Sequence, residues 1–300
     1  MSRLKKIFDE KPNEAPSFLR VMIKEIYYDK LVLASLFIFT GILIYVFIAA
    51  ALIDPEAVRR VDLYMLNSPP MPGYLLGTDP SGRDIMQMMI VGTRNSLSIA
   101  CLVTLITSGI GVVVGLVAGY YGGQIDNIIM RILDFMMMLP RLMLVIVVIS
   151  LLPSYNVISF VLVISALGWM HPARLIRAKA LHQSSLEYVS AAKTLGSSNI
   201  NIMFKQVLPN ISSIIIVDFT LALAMNVGVE VSLTVLGFGL PFGTPSLGTL
   251  VAHASNLTDM QNRPWQWLPA AILILVLMLC INFVGHAIRR AADVKQRVVP

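Results

Sequence analysis

Charge is scarce in this sequence. Only 13% of its 300 residues are charged, against about a quarter in an ordinary water-soluble domain. With 56% hydrophobic residues and a mean hydropathy of +0.76, that shortage excludes a soluble globular class and leaves a polytopic membrane protein. Cysteine is nearly absent: Cys101 and Cys280 each lie in an apolar run, and no CxxC or Cys/His pair has metal-ligand spacing. A disulfide framework and a zinc site are both excluded on that ground. The chain also lacks a GxxxxGK[ST] phosphate loop, an HExxH or GxSxG element and any His/Asp cluster. It therefore cannot cradle ATP in that way, and it offers no catalytic residue. The N-terminus, MSRLKKIFDEKPNEAPS, has no apolar core or small-residue cleavage site and is expected to remain attached on the cytoplasmic side. A net charge of +6 with pI near 9.4 comes from basic residues flanking apolar runs and not from one basic face, so no nucleic-acid partner is expected.

What is present is a series of long apolar runs. A span needs about 20 apolar residues, and Leu31–Ile53, Ser96–Tyr120, Ile211–Leu236 and Trp267–Ile288 satisfy this. Between Ile132 and Met170 the run is interrupted at Pro153-Ser154-Tyr155-Asn156. That region reads as two further spans, the first containing Pro140-Arg141, or alternatively as a re-entrant hairpin. Six spans with an inside N-terminus put Arg3, Lys5, Lys6, Arg20, Lys24, Lys30, Arg131, Arg174, Arg177, Lys179, Lys193, Lys205, Arg289, Arg290, Lys295 and Arg297 inside. Only Arg59, Arg60, Arg83, Arg94 and Arg263 then fall outside. This is the orientation that the positive-inside rule selects. The expected fold is all-α, six transmembrane helices in the cytoplasmic membrane of a prokaryote, with both termini cytoplasmic. Its parts are a tail and interfacial helix over 1–30, a first span over 31–53, an extracytoplasmic segment over 54–94, a five-span core over 95–288 and a tail over 289–300. The interfacial helix is expected to be capped by Ser17 and to carry Leu19, Ile23, Ile26 and Tyr27 on one face. Gly111, Gly115 and Gly119, four residues apart, allow close helix approach either within the chain or to a partner subunit.

The segment LEYVSAAKTLGSSNINIMFKQVLPN is a polar, helix-forming passage in an otherwise apolar chain. Ser184 and Glu187 predict a capping box; Leu186, Val189, Ala192 and Leu195 predict an apolar stripe, and Gly196 a left-handed end. Ser197-Ser198-Asn199 predicts a second helix carrying Ile200, Met203, Phe204 and Val207, stopped by Leu208-Pro209-Asn210. In the spans, Arg141, Asp218, Asn226 and Glu230 are the polar groups whose burial in lipid calls for a pathway or a partner. For Arg141 the alternative is reach to the inner surface, for Asp218 pairing with another helix, and for Glu230 support of the glycine-rich loop that follows.

The order Leu186-Glu187-Tyr188, Ala191-Ala192, Gly196, Leu208-Pro209 over 171–210 resembles the EAA coupling loop of ABC importer permeases, with Ser190 where that pattern has glutamate. Leu76-Gly77-Thr78-Asp79-Pro80-Ser81-Gly82-Arg83-Asp84 resembles the element placed before the second span in the dipeptide/oligopeptide permease family. In itself Asp79-Pro80-Ser81-Gly82 reads as a type I turn. Gly119-Tyr120-Tyr121-Gly122-Gly123 with Asp126 and Arg131, Glu230 with Leu236-Gly237-Phe238-Gly239, and Pro245-Ser246-Leu247-Gly248-Thr249 extend the resemblance over nearly the whole chain. The resemblance implies a permease that forms half of a peptide pathway. Its implied partners are a second homologous permease, two cytoplasmic ATP-binding subunits, an extracytoplasmic peptide-binding protein and the bilayer. It implies no cofactor in this chain, ATP and Mg being held by the ATPases. A nickel or other small-solute importer, or an ion-coupled transporter using Asp218, Glu230 and Arg141, is the alternative reading.

Overall fold

The computed structural model describes residues 18–154, 156–241 and 243–298, with side chains omitted for a few of these. The expected Ser17 cap, the tail bearing Arg3, Lys5 and Lys6, and Tyr155 of the 153–156 cluster lie outside the described residues. The elements are helices: α1 (Phe18–Tyr28), α2 (Lys30–Leu52), α3 (Pro55–Arg59), α4 (Ile85–Tyr121), α5 (Gly123–Met138), α6 (Arg141–Leu151) and α7 (Val157–Ala166). They continue as α8 (Met170–Ser184), α9 (Glu187–Thr194), α10 (Asn199–Ile202), α11 (Leu208–Val235), α12 (Leu247–Val251), α13 (Leu257–Asn262) and α14 (Leu268–Val298). Four stretches are long and apolar enough to cross a membrane: Lys30–Leu52, Ile85–Tyr121, Asn199–Val235 and Leu268–Ala292. Two bent pairs, α5 with α6 at 82° and α7 with α8 at 43°, bring the number to as many as six.

Two helix starts follow local chemistry, and a third expected boundary does not form. Asp29 starts α2 by accepting from the N–H groups of Leu31 and Val32. Asp84 starts α4 by accepting from Met86 at 2.8 Å, so this helix begins eleven residues before the apolar run at Ser96. At 37 residues it is about 55 Å long. The third differs from expectation. The helix does not stop at Leu208-Pro209; it runs on through a π-helical turn at Met203–Val207, where Leu208 N–H reaches back to Met203 O. Proline lacks an N–H, and the widened turn accommodates it without breaking the rod.

Packing fixes the relative directions. An added Cβ on Gly111 would meet Pro172 at 2.8 Å, on Gly115 the Ala173 carbonyl at 2.5 Å, and on Gly119 the Arg177 carbonyl at 2.5 Å. The glycine stripe therefore serves contact within the chain, and α4 and α8 run in the same direction. Helix α11 runs against α4, pairing Asn226 with Thr104 and Glu230 with Ser96. One end of the bundle accordingly carries the start of α2, the 184–208 loop and the end of α14, where Arg290 bonds Asp29 at 2.8 Å. The other end carries the 54–84 and 237–266 segments.

Candidate functional site: a loop, a ledge and a polar mid-section

At the first end, α9 lies across the tips of α4 and α8. Val189, Ala192, Ile202, Met203 and Val207 are buried against Leu116, Tyr120, Ile176 and Ala180. Polar ties add to this contact: Tyr120 pairs through its hydroxyl with the Asn199 side-chain oxygen at 2.9 Å, and Lys193 sits over the Tyr120 ring. Gly196 has φ +80°, with its N–H on Lys193 O and that of Ser197 on Ala192 O, both at 3.0 Å. This is a Schellman ending, which satisfies two carbonyls that helix termination would orphan. Ser198 caps α10 by accepting from Asn201 N–H.

Two expectations fail here. The Ser184/Glu187 capping box does not form: Ser184 closes α8 and donates to Leu181 O at 2.9 Å and toward Gly119 O at 3.3 Å, leaving Leu186 as the N-cap. Its hydroxyl is claimed by carbonyls of α8 and α4. Leu195 is also no part of the packed stripe; it is 85% exposed, with Ile200 at 65% and Phe204 at 47%. Leu186, Glu187, Ser190 and Ala191 share the exposed surface, while Tyr188 donates to Gln183 at 2.9 Å. Leu208 is partly buried and Pro209 exposed within the continuous helix.

The opposite end is a ledge held by polar groups. Asp79 is fully buried and accepts from Ser81 N–H and Arg83 N–H at 2.8 Å and from Arg83 Nε at 2.7 Å. Gly82 N–H closes the expected turn on Asp79 O. Gly82 also lies so near Asp62 that a Cβ would stand 1.9 Å from the Asp62 carbonyl, and a Cβ on Gly77 2.5 Å from the Ser68 carbonyl. Thr78 accepts from Ser68 N–H and donates to Met65 O. Gln266 donates to Asn67 Oδ1 and Thr78 O, stitching the second segment to the first.

Glu230 belongs to this ledge. Fully buried, it accepts from Ser96 Oγ at 2.9 Å and Thr234 Oγ1 at 3.0 Å, and Ser96 in turn accepts from Leu247 N–H. Asn95 donates to Pro245 O at 2.8 Å, and Ser246 and Thr249 form a capping box at α12. Ser96, Asn95, Thr234 and Gln266 were not singled out from the sequence; their partners lie up to 199 residues away, and no local pattern marks them. A cleft of about 240 Å³ opens between Arg83, Thr234, Gly239, Pro241, Thr244 and Thr249. His253 stands within electrostatic reach of Asp79, Arg83 and Asp259. Burial holds its imidazole below the usual histidine value, and Arg83 acts in the same direction, against the two carboxylates.

Between the ends lie the remaining polar groups. Asn226 donates to Thr104 Oγ1 at 2.9 Å. Asp218 is half-buried and has His171 of α8 within electrostatic reach. Arg141 begins α6 after the Pro140 bend, with Nη2 3.5 Å from Ile164 O. Two ion pairs, Arg177 Nε to Asp126 at 2.7 Å and Arg174 to Asp134, bind α5 to α8. Among the described residues no group of His, Cys, Asp and Glu could hold a metal ion.

Residues 111–297 match the family described as binding-protein-dependent transport system inner membrane component. The oligopeptide transport system permease protein OppC of Lactococcus lactis subsp. cremoris (strain SK11) is 40% identical, across 96% of this chain and 98% of its own. The dipeptide transport system permease protein DppC of Haemophilus influenzae is 36% identical over 75% of each chain, and OppC of Mycobacterium tuberculosis (strain H37Rv) 33% identical over 81% and 83%. Among solved structures, a chain of the MetNI methionine ABC transporter in inward-facing form superposes with a TM-score of 0.54 at 18% identity. That match covers 69% of this chain and 97% of the other. At that identity the likeness speaks for the fold.

Proposed function

The chain belongs to the binding-protein-dependent transport system inner membrane component family, and from that premise we propose that it is the permease subunit of an ATP-driven importer of di- or oligopeptides. A second, homologous permease completes the pathway. Two ATP-binding subunits on the cytoplasmic side hold ATP and Mg, and an extracytoplasmic peptide-binding protein delivers the solute. The loop end faces the cytoplasm, with both termini, because the basic residues concentrate there; the ledge faces outward.

The observation that carries this reading is the form of the 184–208 loop. It is seated by apolar packing on the tips of α4 and α8, yet it turns Leu195, Ile200 and Phe204 outward at an end of the bundle where basic residues gather. Large apolar side chains held rigidly in water mark a surface that another protein covers. When ATP draws the ATPases together, a helix seated on one of them moves as a body. Motion of α9 passes directly to α4 through Tyr120, Lys193 and Asn199, and to α11 through the unbroken π-turn. Leu186, Glu187, Tyr188, Ser190, Ala191, Ala192, Gly196, Leu208 and Pro209 form or support this handle.

The test is uptake of labelled di- and oligopeptides into proteoliposomes containing the complex isolated with its native partners. Uptake is expected to require ATP, both ATP-binding subunits and the binding protein. Accumulation by this chain alone, driven by an ion gradient, would overturn the reading.

A further inference from the structure

The guanidinium of Arg141 lies part-way along the apolar stretch of α4. A Cβ placed on Gly168 would stand 2.7 Å from Arg141 Nη2 and 2.7 Å from the Thr107 methyl, so the cation lies against Gly168 beside Thr107. In the apolar stretch of α4, Thr107 is about 16 Å along the helix from Ser96 and about 20 Å from Tyr120. The charge thus sits near mid-depth, where even the lenient insertion scale assigns a cost of about 3 kcal/mol.

Among the described residues almost nothing compensates for that cost. The contact with Ile164 O is long, at 3.5 Å, and Nε is buried with no partner. Among the described residues no carboxylate forms an ion pair with Arg141, and Asp218 has His171 within electrostatic reach. The contrast within the same chain is direct, since Asp126, Asp134 and Asp79 each have an arginine. Thr107 turns its methyl toward Gly168, while its hydroxyl donates to Val103 O at 2.8 Å and toward Thr104 O at 3.2 Å.

The place is also where the backbone is irregular. Arg141 follows the 82° bend between α5 and α6, and Gly168 lies in the 43° break between α7 and α8. Broken helices at membrane depth are tolerated where they are buried in protein or line a cavity, and in transporters they often frame the solute. Lipid phosphates are about 15 Å away at either surface, so an anion can reach this guanidinium only through the protein interior.

We propose that Arg141 is a mid-membrane station for the carboxylate of the passing solute, which for a peptide is its C-terminal carboxylate. The proposal rests on the peptide-importer reading. A single guanidinium with a nearly empty set of donors attracts the anionic end without gripping it, as a group that must also release the solute should.

The experiment compares Arg141→Gln with the unaltered complex for pairs of peptides that differ only in a free or amidated C-terminus, each scored as the variant-to-parent uptake ratio. The ratio is expected to fall about tenfold further for the free acid than for the amide. Equal losses on both would overturn the station. A second measurement needs no peptide: in the complex without solute, Arg141→Met removes an uncompensated cation, and the melting temperature is expected to rise by about 2 °C or more. A fall would mean that the cation has a structural partner, and the proposal would be wrong. Should the parent complex import no peptide at all, the functional reading fails on that control, while the melting experiment still decides whether Arg141 stands unpaired.

Discussion

The ledge and the 184–208 loop hang from the two ends of the same helices and are held in opposite ways. In the ledge the carboxylates of Asp79, Asp84, Asp259 and Glu230 all have donors from this chain, and glycines let its backbones touch. The loop has few polar ties. It rests on an apolar underside and leaves an apolar outer surface uncovered. Carboxylates given donors within the chain favour one arrangement, whereas apolar surface facing water calls for a partner. The ledge is thus tied largely within the chain, with Trp265 Nε1 and Gln266 Oε1 the buried atoms left without a partner, and the loop is the end we propose a partner subunit completes.

The sharpest way to break this contrast is to damage each end and ask what is lost. Asp79→Ala removes a fully buried carboxylate from beneath Arg83, which is partly exposed, so the cost lies toward the lower end of the roughly 3–5 kcal/mol for breaking a buried ion pair. The expected result is loss of the protein from the membrane, read as abundance on an immunoblot. Normal abundance would mean that the ledge is not held by this pair.

Damage at the loop should leave the protein in place. In Gly196→Arg the new Cβ meets nothing within 4 Å, and the left-handed conformation costs about 1–2 kcal/mol. Abundance should be retained while ATP-driven uptake is abolished, because the arginine enters the surface proposed to seat in the ATPase. Leu195→Asp is expected to weaken ATPase association about tenfold in detergent pull-down without changing the melting temperature of the isolated chain. Ser190→Ala should be milder still. Wild-type uptake by the glycine variant would separate the loop from coupling.

How far each end could be read in advance follows the same contrast. The 79–82 turn and the left-handed Gly196 are local chemistry and were legible, as were the apolar runs: Leu31–Ile53 was expected where α2 spans Lys30–Leu52. Wherever the deciding partner is distant, sequence reading stops short. Ser184 looked like a cap because Gly119 O was invisible to it. Leu195 kept the helical period but fell beyond the packed surface. Pro209 looked like a stop because the π-turn before it has no signature. The setting of Arg141 is made by Gly168 and Thr107, and neither residue type draws notice in an apolar run.

The smallest expected effect tests the ledge from outside. His253 is held below the ordinary histidine value chiefly by burial, so the folded ledge keeps it neutral. As pH falls below about 6.5, the unfolded chain takes up a proton that the folded one resists, and stability declines with it; above that value the contribution is fully present. The melting temperature of the complex should therefore drop between pH 7 and pH 5, and His253→Gln should flatten that part of the profile without altering the value at pH 7.5. The groups facing His253 are Asp79, Arg83 and Asp259. If the glutamine variant keeps the same slope, the acid sensitivity belongs elsewhere in the complex and burial does not hold the imidazole neutral.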